Sequence, residues 1–420
     1  MVEFIPLLMF GVICLVLLAG FPVAFSLAGT ALIFAGLGIL TGTFEGAFLG
    51  AIPNRLYGDM TNMTLVAVPL FVFMGVLLEK SNLAQDLLSN MAEVIGGFRG
   101  SLAISVIFVG ALIAASTGIV GATVIAMGLI SLPIMLSRQY DPSLSAGTIC
   151  ATGTLGQIIP PSIVLIILSD QLASASDAAD NLRAESYKIA TGSMNMPGQF
   201  SVDSVSAGNM FLGAFLPGVV LVSLYMLYVL LIGIFKKEAV PPVKFEGKYN
   251  YYFFQKVFLA LVPPLSLIFV VLGSILMGIA TVNQAGAIGA VGAGIMGGYR
   301  LYEGKQKYLP AIISIISVVV IFIIVLNYKI NIKTISSSTD YIVTSIAIIS
   351  VLVLIFGISW SFWRTFKINN VLRQVMVETS ITTSMVFIIL IGAAMLTAAF
   401  RAFGGEEIVR DFLTSLPGGF

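Results

Sequence analysis

Apolar runs long enough to cross a lipid bilayer recur along this chain, and no other feature limits its folding so strongly. A helix needs about 20 such residues to pass a hydrocarbon core roughly 30 Å thick. Windows near 5–20, 22–40, 101–117, 119–136, 145–168, 209–234, 254–277, 309–327, 341–363 and 383–403 qualify. In a bilayer every backbone N–H and C=O must find its partner within the protein, which leaves helices and closed barrels. Barrel strands alternate in character; these windows are apolar throughout. An all-α polytopic membrane protein is the expected class. Composition agrees, with 58% hydrophobic and only 10% charged residues over 420 positions, against about 25% charged in soluble domains.

Residues 1–20 lack a basic start and run straight into the next apolar window, so a retained span is expected there, not a cleaved signal. Shorter apolar stretches at 64–78 and 284–297 are expected to be re-entrant hairpins, half-spans or tilted helices, and the amphipathic stretch 84–97 an interfacial arm. Cys14 and Cys150 lie inside apolar windows and read as small core residues, not as a disulfide framework.

The basic loops orient the second part. Lys236, Lys237, Lys244, Lys248 and Lys256 place the 235–256 loop in the cytoplasm. Arg300, Lys305 and Lys307 fall on the same side two spans later, and Arg364, Lys367 and Arg373 two spans after that. The loop 169–208 faces the other way, with Asp170, Asp177, Asp180, Glu185 and Asp203 against Arg183 and Lys188.

One window is broken in its middle. The stretch GTICATGTLGQIIPPSIVLIIL, 147–168, carries three glycines, three threonines and a Pro-Pro pair. Pro160 and Pro161 have no amide donor and disfavour helix at the residue before each. Irregular backbone at bilayer depth is tolerated only when buried in protein or lining a cavity. Amino ends of broken helices attract anions, whereas unwound carbonyls and hydroxyls coordinate cations. Ser116, Thr117, Thr123, Thr152, Thr154, Gln157 and Ser162 supply neutral oxygens nearby, a set that suits a hard cation. Small residues of this kind also serve close helix packing, and that is the favoured reading for 116–123 taken alone.

What is missing narrows the function further. There is no histidine, which removes the commonest metal ligand and proton shuttle. No ionisable residue sits in the middle of an apolar window, so sodium coupling is favoured over a proton relay. Asp59, Glu79, Lys80 and Asp170 fall near window ends and read as interfacial anchors. No Gly-x-Gly-Asp or His-Glu-x-x-His pattern occurs, so a membrane-embedded enzyme is the least favoured class. No basic and aromatic patch points to nucleic acid.

A partial internal repeat is visible. FVFMGVLL at 71–78, QDLL at 85–88 and GGF at 96–98 recur as FIILIGAAML at 387–396, RDFL at 410–413 and GGF at 418–420. The first copy leads into the broken window; the second ends with the chain.

Three stretches resemble the large permease subunit of tripartite ATP-independent periplasmic (TRAP) transporters. They are VPLFVFMGVLLEKSNLAQDLL (68–88), STGIVGATVIAMGLISLPIMLSRQYDPSLSAGTICATGTLGQIIPPSIVLIILSDQL (116–172) and ATVNQAGAIGAVGA (280–293). An apparent insertion at about 305–365 holds two extra spans. The resemblance implies an inverted-repeat transporter with broken helices and re-entrant hairpins, whose second repeat is incomplete here. On that pattern 1–60 would be N-terminal scaffold spans, 61–208 the mobile first-repeat transport region and 209–300 scaffold spans. The inserted spans would cover 301–370, and a truncated second repeat would start in 371–420.

The implied activity is secondary transport of an organic acid across the bacterial inner membrane, with sodium as coupling ion and no other cofactor. A small TRAP membrane subunit and a periplasmic solute-binding protein would be its partners. The alternative is another ion-coupled anion transporter, or a channel, without a binding protein. Carried onto matching positions, Ser116, Thr117, Gly118, Gly153 and Thr154 would hold sodium, while Gln157, Pro160, Pro161 and Ser162 would shape the substrate site. Three departures stand out. The family's Ser-Gly-Ser is Thr117-Gly118-Ile119 here, its Thr-Pro-Thr-Glu is Thr281-Val282-Asn283-Gln284, and a second Thr-Pro-Pro break does not occur after 384.

Overall fold

The computed structural model describes residues 4–81, 83–118, 120–198, 201–242, 250–304, 306–328 and 338–416. Among these residues the regular structure is helical, without strands. The helices are α1 (Ile5–Leu18), α2 (Val23–Thr41), α3 (Ile52–Thr61), α4 (Ala67–Lys80), α5 (Leu83–Ile95), α6 (Ser101–Thr117), α7 (Val120–Ser137) and α8 (Pro142–Thr154). They continue as α9 (Ile163–Thr191), α10 (Ala207–Phe235), α11 (Tyr251–Leu276), α12 (Val282–Arg300), α13 (Leu309–Asn327), α14 (Ser338–Lys367), α15 (Val371–Ala402) and α16 (Gly405–Thr414). Among them α2, α10, α11, α13, α14 and α15 are long and apolar enough to cross a membrane, and α3 with α4 makes a seventh span if the pair is one broken helix. The chain is a multi-pass membrane protein.

Several windows fold differently from expectation. Those at 5–20 and 101–117 form helices of 14 and 17 residues, about 21 and 25 Å at 1.5 Å per residue. The window 145–168 is not one span but two helices with irregular backbone between them. The expected loop 169–208 is helical as far as Thr191, because its alanines, glutamate and leucines continue α9 beyond the apolar part. The stretch 284–297 lies within a continuous 19-residue helix, α12. Cys14 and Cys150 are exposed on helix faces, not buried in the core. A face turned to lipid is as apolar as a core, so apolar surroundings in sequence do not distinguish the two.

Contacts divide the chain into two compact units, Met1–Leu65 with Ser380–Phe420, and Val66–Thr379. The core of the first contains Met9, Ile13, Ala31, Ala35, Phe44, Ala399 and Phe403. There the rings of Phe44 and Phe403 lie 5.1 Å apart, a separation typical of favourable aromatic pairs.

The second unit is built around α6. Leu102, Val106 and Val109 of α6 pack with Leu88 of α5, Met127 and Met135 of α7, Ile149 of α8 and Val229 of α10. Tyr140, between α7 and α8, is fully buried, and its hydroxyl accepts the N–H of Leu102 at 3.3 Å. That N–H belongs to the first turn of α6, where amides have no partner in their own helix. Burial pushes the Tyr140 phenol up from its ordinary value, and hydrogen bonds from the Leu102 backbone pull against it.

α12 opens with a reciprocal cap. The Thr281 hydroxyl accepts the Gln284 N–H at 3.4 Å, and the Gln284 carbonyl oxygen accepts the Thr281 N–H at 2.9 Å. Glutamine fills the glutamate role of a capping box, which accounts for one of the three departures from the family pattern. Further along α12, a Cβ on Gly298 would lie 2.8 Å from the Ser361 Cα, so α14 packs directly on the α12 backbone. Arg364, near the end of α14, is 4% exposed and donates to the carbonyls of Lys307 at 3.0 Å and Gln306 at 3.1 Å. Its guanidinium lies 4.1 Å from the Tyr302 ring centre and 5.0 Å from that of Trp360. Two carbonyls and two ring faces satisfy the planar cation.

Candidate broken-helix ion and substrate site

The break at 155–162 is assembled by the ends of four helices. α6 stops at Thr117, where Gly118 takes a left-handed conformation (φ +62°) and donates its N–H to Ala114 O at 3.0 Å. Glycine meets that geometry without a Cβ clash. α7 resumes at Val120. α8 begins with Asp141, whose carboxylate accepts the Leu144 N–H at 2.9 Å, and with Pro142 in the first turn, a favourable start for a helix. It ends at Thr154 in one tight turn, 155–157, and Ile158 and Ile159 both donate to Leu155 O. Pro160 and Pro161, joined by a cis peptide, stop any continuation. Ser162 is extended and α9 starts at Ile163.

This irregular segment is enclosed by protein, as bilayer depth demands. Leu155, Gly156, Pro160, Pro161, Ser162 and Ile163 are buried. The Ser162 hydroxyl donates to Gln157 O at 2.9 Å across the break. α6 and the 155–157 turn touch backbone to backbone: a Cβ on Gly156 would lie 2.8 Å from Ala114 O. A Cβ on Gly118 would lie 3.4 Å from Ile163 N. The carboxyl end of α6 therefore abuts the amino end of α9. One end presents carbonyls without helical partners and the other presents amides without them. Partial negative and partial positive poles meet at one buried place.

The residues singled out in the sequence distribute unevenly here. Gly118, Gly153, Pro160, Pro161 and Ser162 are buried; Thr154 and Gln157 are exposed. The Thr154 hydroxyl donates to Ala151 O at 2.7 Å, and a hydroxyl used as donor keeps its lone pairs for a cation. The same holds for Ser162. The side chains of Ser116 and Thr117 lie outside the described residues, as does Ile119. Gly153 stands where α7 crosses α8, and any Cβ there would overlap the Val124 side chain. Its smallness is a packing requirement in addition to any part its carbonyl plays. Gly110 and Thr152 form a matching crossing between α6 and α8. Sequence reasoning missed Gly110, Ala114, Val124 and Tyr140; a lone glycine inside the apolar window 101–117 was the one available signal.

A cavity of about 670 Å³ lies between α8 and α10, lined by Leu144, Thr148, Ala151, Tyr225, Tyr228 and Lys236 among others. None of the residues named for sodium or substrate lines it. Among the described residues no three His, Cys, Asp or Glu side chains are grouped to hold a metal. A cation at the break would rest on neutral oxygens.

Residues 10–180 and 193–309 match the family described as tripartite ATP-independent periplasmic transporter, DctM component. The chain belongs to this family. Its match takes in α2 to α8, the break and α12, and stops where α13 begins. The C4-dicarboxylate TRAP transporter large permease protein of Rhodobacter capsulatus is 28% identical over 51% of this chain and 44% of its own length. Its counterpart in Vibrio cholerae is 27% identical over 68% of this chain and 54% of its own. The sialic acid TRAP transporter large permease protein of Vibrio cholerae is 25% identical over 70% and 57%. The chain spans about half the length of the curated relatives it matches. Family members are transporter permeases, which places this chain with transport proteins and not with enzymes.

Proposed function

We propose that the protein serves secondary transport of an organic acid across the bacterial inner membrane, driven by sodium, with a small TRAP membrane subunit and a periplasmic binding protein as partners. The observation that carries the reading is the meeting of the α6 carboxyl end with the α9 amino end at the Pro160–Pro161 break. A sodium ion wants about six hard oxygens, and carbonyls of residues 115–118 with the oxygens of Gly153 and Thr154 are the candidates; the Ser116 and Thr117 hydroxyls would add to them. The first turn of α9 has no acidic residue and its Ser162 does not cap it, so its amides suit a carboxylate. Gln157, Pro160, Pro161 and Ser162 would shape the wall. Relatives named for C4-dicarboxylates and for sialic acid both handle carboxylic acids by name, which supports that substrate class.

On this reading the region 61–208 is the moving part, and 1–60 with 209–300 the scaffold. The test has two arms. Amide exchange at 114–118 and 153–163 should slow on replacing potassium by sodium; equal exchange in both salts removes the sodium site. Protein reconstituted with its small subunit and binding protein should accumulate a carboxylate under an inward sodium gradient. Uptake independent of sodium would refute the coupling, and uptake independent of the binding protein would favour a simpler carrier.

A further inference from the structure

A second recess lies away from the break, where α13 meets α11 and α12. It has a volume of about 480 Å³ and is lined by Pro263, Leu267 and Val270 of α11, Gly292 and Met296 of α12, and Ile312 of α13, among others. That volume is within the roughly 300–1,000 Å³ of ligand pockets. Its walls are almost wholly apolar, and α11 and α13 are candidate membrane spans, so the recess opens within the hydrocarbon layer. Tyr299 and Tyr308 close the end nearest the α12–α13 connector, with ring centres 5.4 Å apart. The Tyr299 hydroxyl is buried there without a hydrogen-bond partner among the described residues.

The charge at this end is one-sided. The Lys307 ammonium lies 5.8 Å from the Tyr308 ring centre. Arg300, next to Tyr299 in sequence, lies near enough to Lys307 for the two charges to act on each other. Burial and the nearby positive charge of Arg300 hold the Lys307 ammonium below the ordinary lysine value, with Glu303 the opposing influence. Two cations, Lys307 and Arg300, against one carboxylate, Glu303, beside the Tyr299–Tyr308 end of an apolar recess favour an anion with an apolar tail. The connector is also on the side that the basic loops assign to the cytoplasm, the leaflet in which anionic lipids attract basic segments.

We propose that this recess is a binding site for an anionic phospholipid, one acyl chain lying between α11, α12 and α13 and the phosphate meeting Lys307 and Arg300 at the Tyr299–Tyr308 end. The site depends on α13, which lies beyond the residues that match the family, and it is independent of the transport reading. The lipid would seal α13 to α11 and α12.

Native mass spectrometry of the detergent-purified protein, offered equal phosphatidylglycerol and phosphatidylcholine, tests this. The wild type should retain one phosphatidylglycerol in preference to phosphatidylcholine. Lys307→Gln should weaken that preference roughly fivefold, the effect of about one basic residue at a membrane surface. Ile312→Trp, which fills the recess from a half-exposed position, should release lipids of both kinds while the unfolding temperature holds. Equal retention of the two lipids by the wild type would overturn the proposal whether or not either variant folds. So would unchanged retention in both folded variants, or a co-purifying membrane protein occupying the recess in place of lipid.

Discussion

Two parts of the second unit solve the membrane problem in opposite ways. Around the break, α6, α7 and α8 are 17, 18 and 13 residues long, rich in small residues, and meet the start of α9 with backbones touching at Gly156 and Ala114. By contrast, α13 and α14 are uninterrupted helices of 19 and 30 residues with exposed residues such as Ile316, Phe322, Ile348 and Phe356. Regular helices satisfy their own backbone and can face lipid; irregular backbone needs a protein jacket. The first arrangement leaves two helix ends facing each other at a buried place, and the second leaves a plain apolar wall pinned by Arg364. The comparison teaches where tolerance to substitution should lie.

The sharpest way to break it is Gly156→Val. The new side chain would meet the Ala114 carbonyl, a backbone atom that cannot move aside, and the expected loss is about 3 kcal/mol in unfolding free energy in detergent. Gly147→Ala on α8, where a Cβ meets nothing within 4 Å, should be near neutral. If both are tolerated equally, the backbone contact is not what holds the break.

Arg364→Met asks whether the hairpin depends on one buried cation. Removing two charge-assisted hydrogen bonds and two ring contacts should cost about 2 kcal/mol, measured by thermal unfolding, and Arg364→Lys should restore only part because ammonium lacks the planar fork. A neutral result would mean that the α13–α14 and α12–α14 contacts suffice.

Tyr140→Phe leaves a buried amide at the start of α6 unpaired and should cost about 1–2 kcal/mol. Its pH dependence has a definite sign. The phenol is raised in the folded protein, so its contribution is fully present below the unfolded value of about 10 and is lost as pH rises through the folded value. Unfolding scans should therefore show an alkaline decline in the wild type that is shallower in Tyr140→Phe; parallel declines would deny the buried phenol that role.

The smallest effect belongs to Lys80 and Glu378, an ion pair of 2.7 Å with both side chains about a third or more exposed. A double-mutant cycle should return less than about 1 kcal/mol. A larger coupling would show a water-poor environment around α4 and α15. Glu378 lies two turns inside α15, where sequence reading placed no charge because it started that span at 383.

Particular residues show how far the chain could be read. Pro160–Pro161 and the glycines before it announced a break, and the break is there, since proline denies helix in any environment. Gly118 was named only for sodium, and that it ends α6 through a left-handed φ of +62° came from the structure. By contrast α12 was read as a short or re-entrant element, because its glycines lower hydropathy and conceal that α4 and α14 would close over them. The length of α9 was missed because hydropathy reports membrane depth, not helix, and its polar half is helical by propensity alone. The two cysteines were misplaced because lipid and core make the same demand on composition.

The sequence by itself determined that this is a helical membrane protein, which window is interrupted, and which transporter family it belongs to. The first two follow from local chemistry, hydropathy against bilayer thickness and proline against the helix hydrogen bond; the family follows from the resemblance of 68–88, 116–172 and 280–293. Only the tertiary structure decided which helix ends meet. The approach of Gly118 to Ile163, of Gly156 to Ala114 and of Arg364 to the carbonyls of 306 and 307 joins residues up to 58 positions apart. No local propensity encodes such contacts; they arise when small residues allow helices to close until backbone and side-chain polar groups find one another.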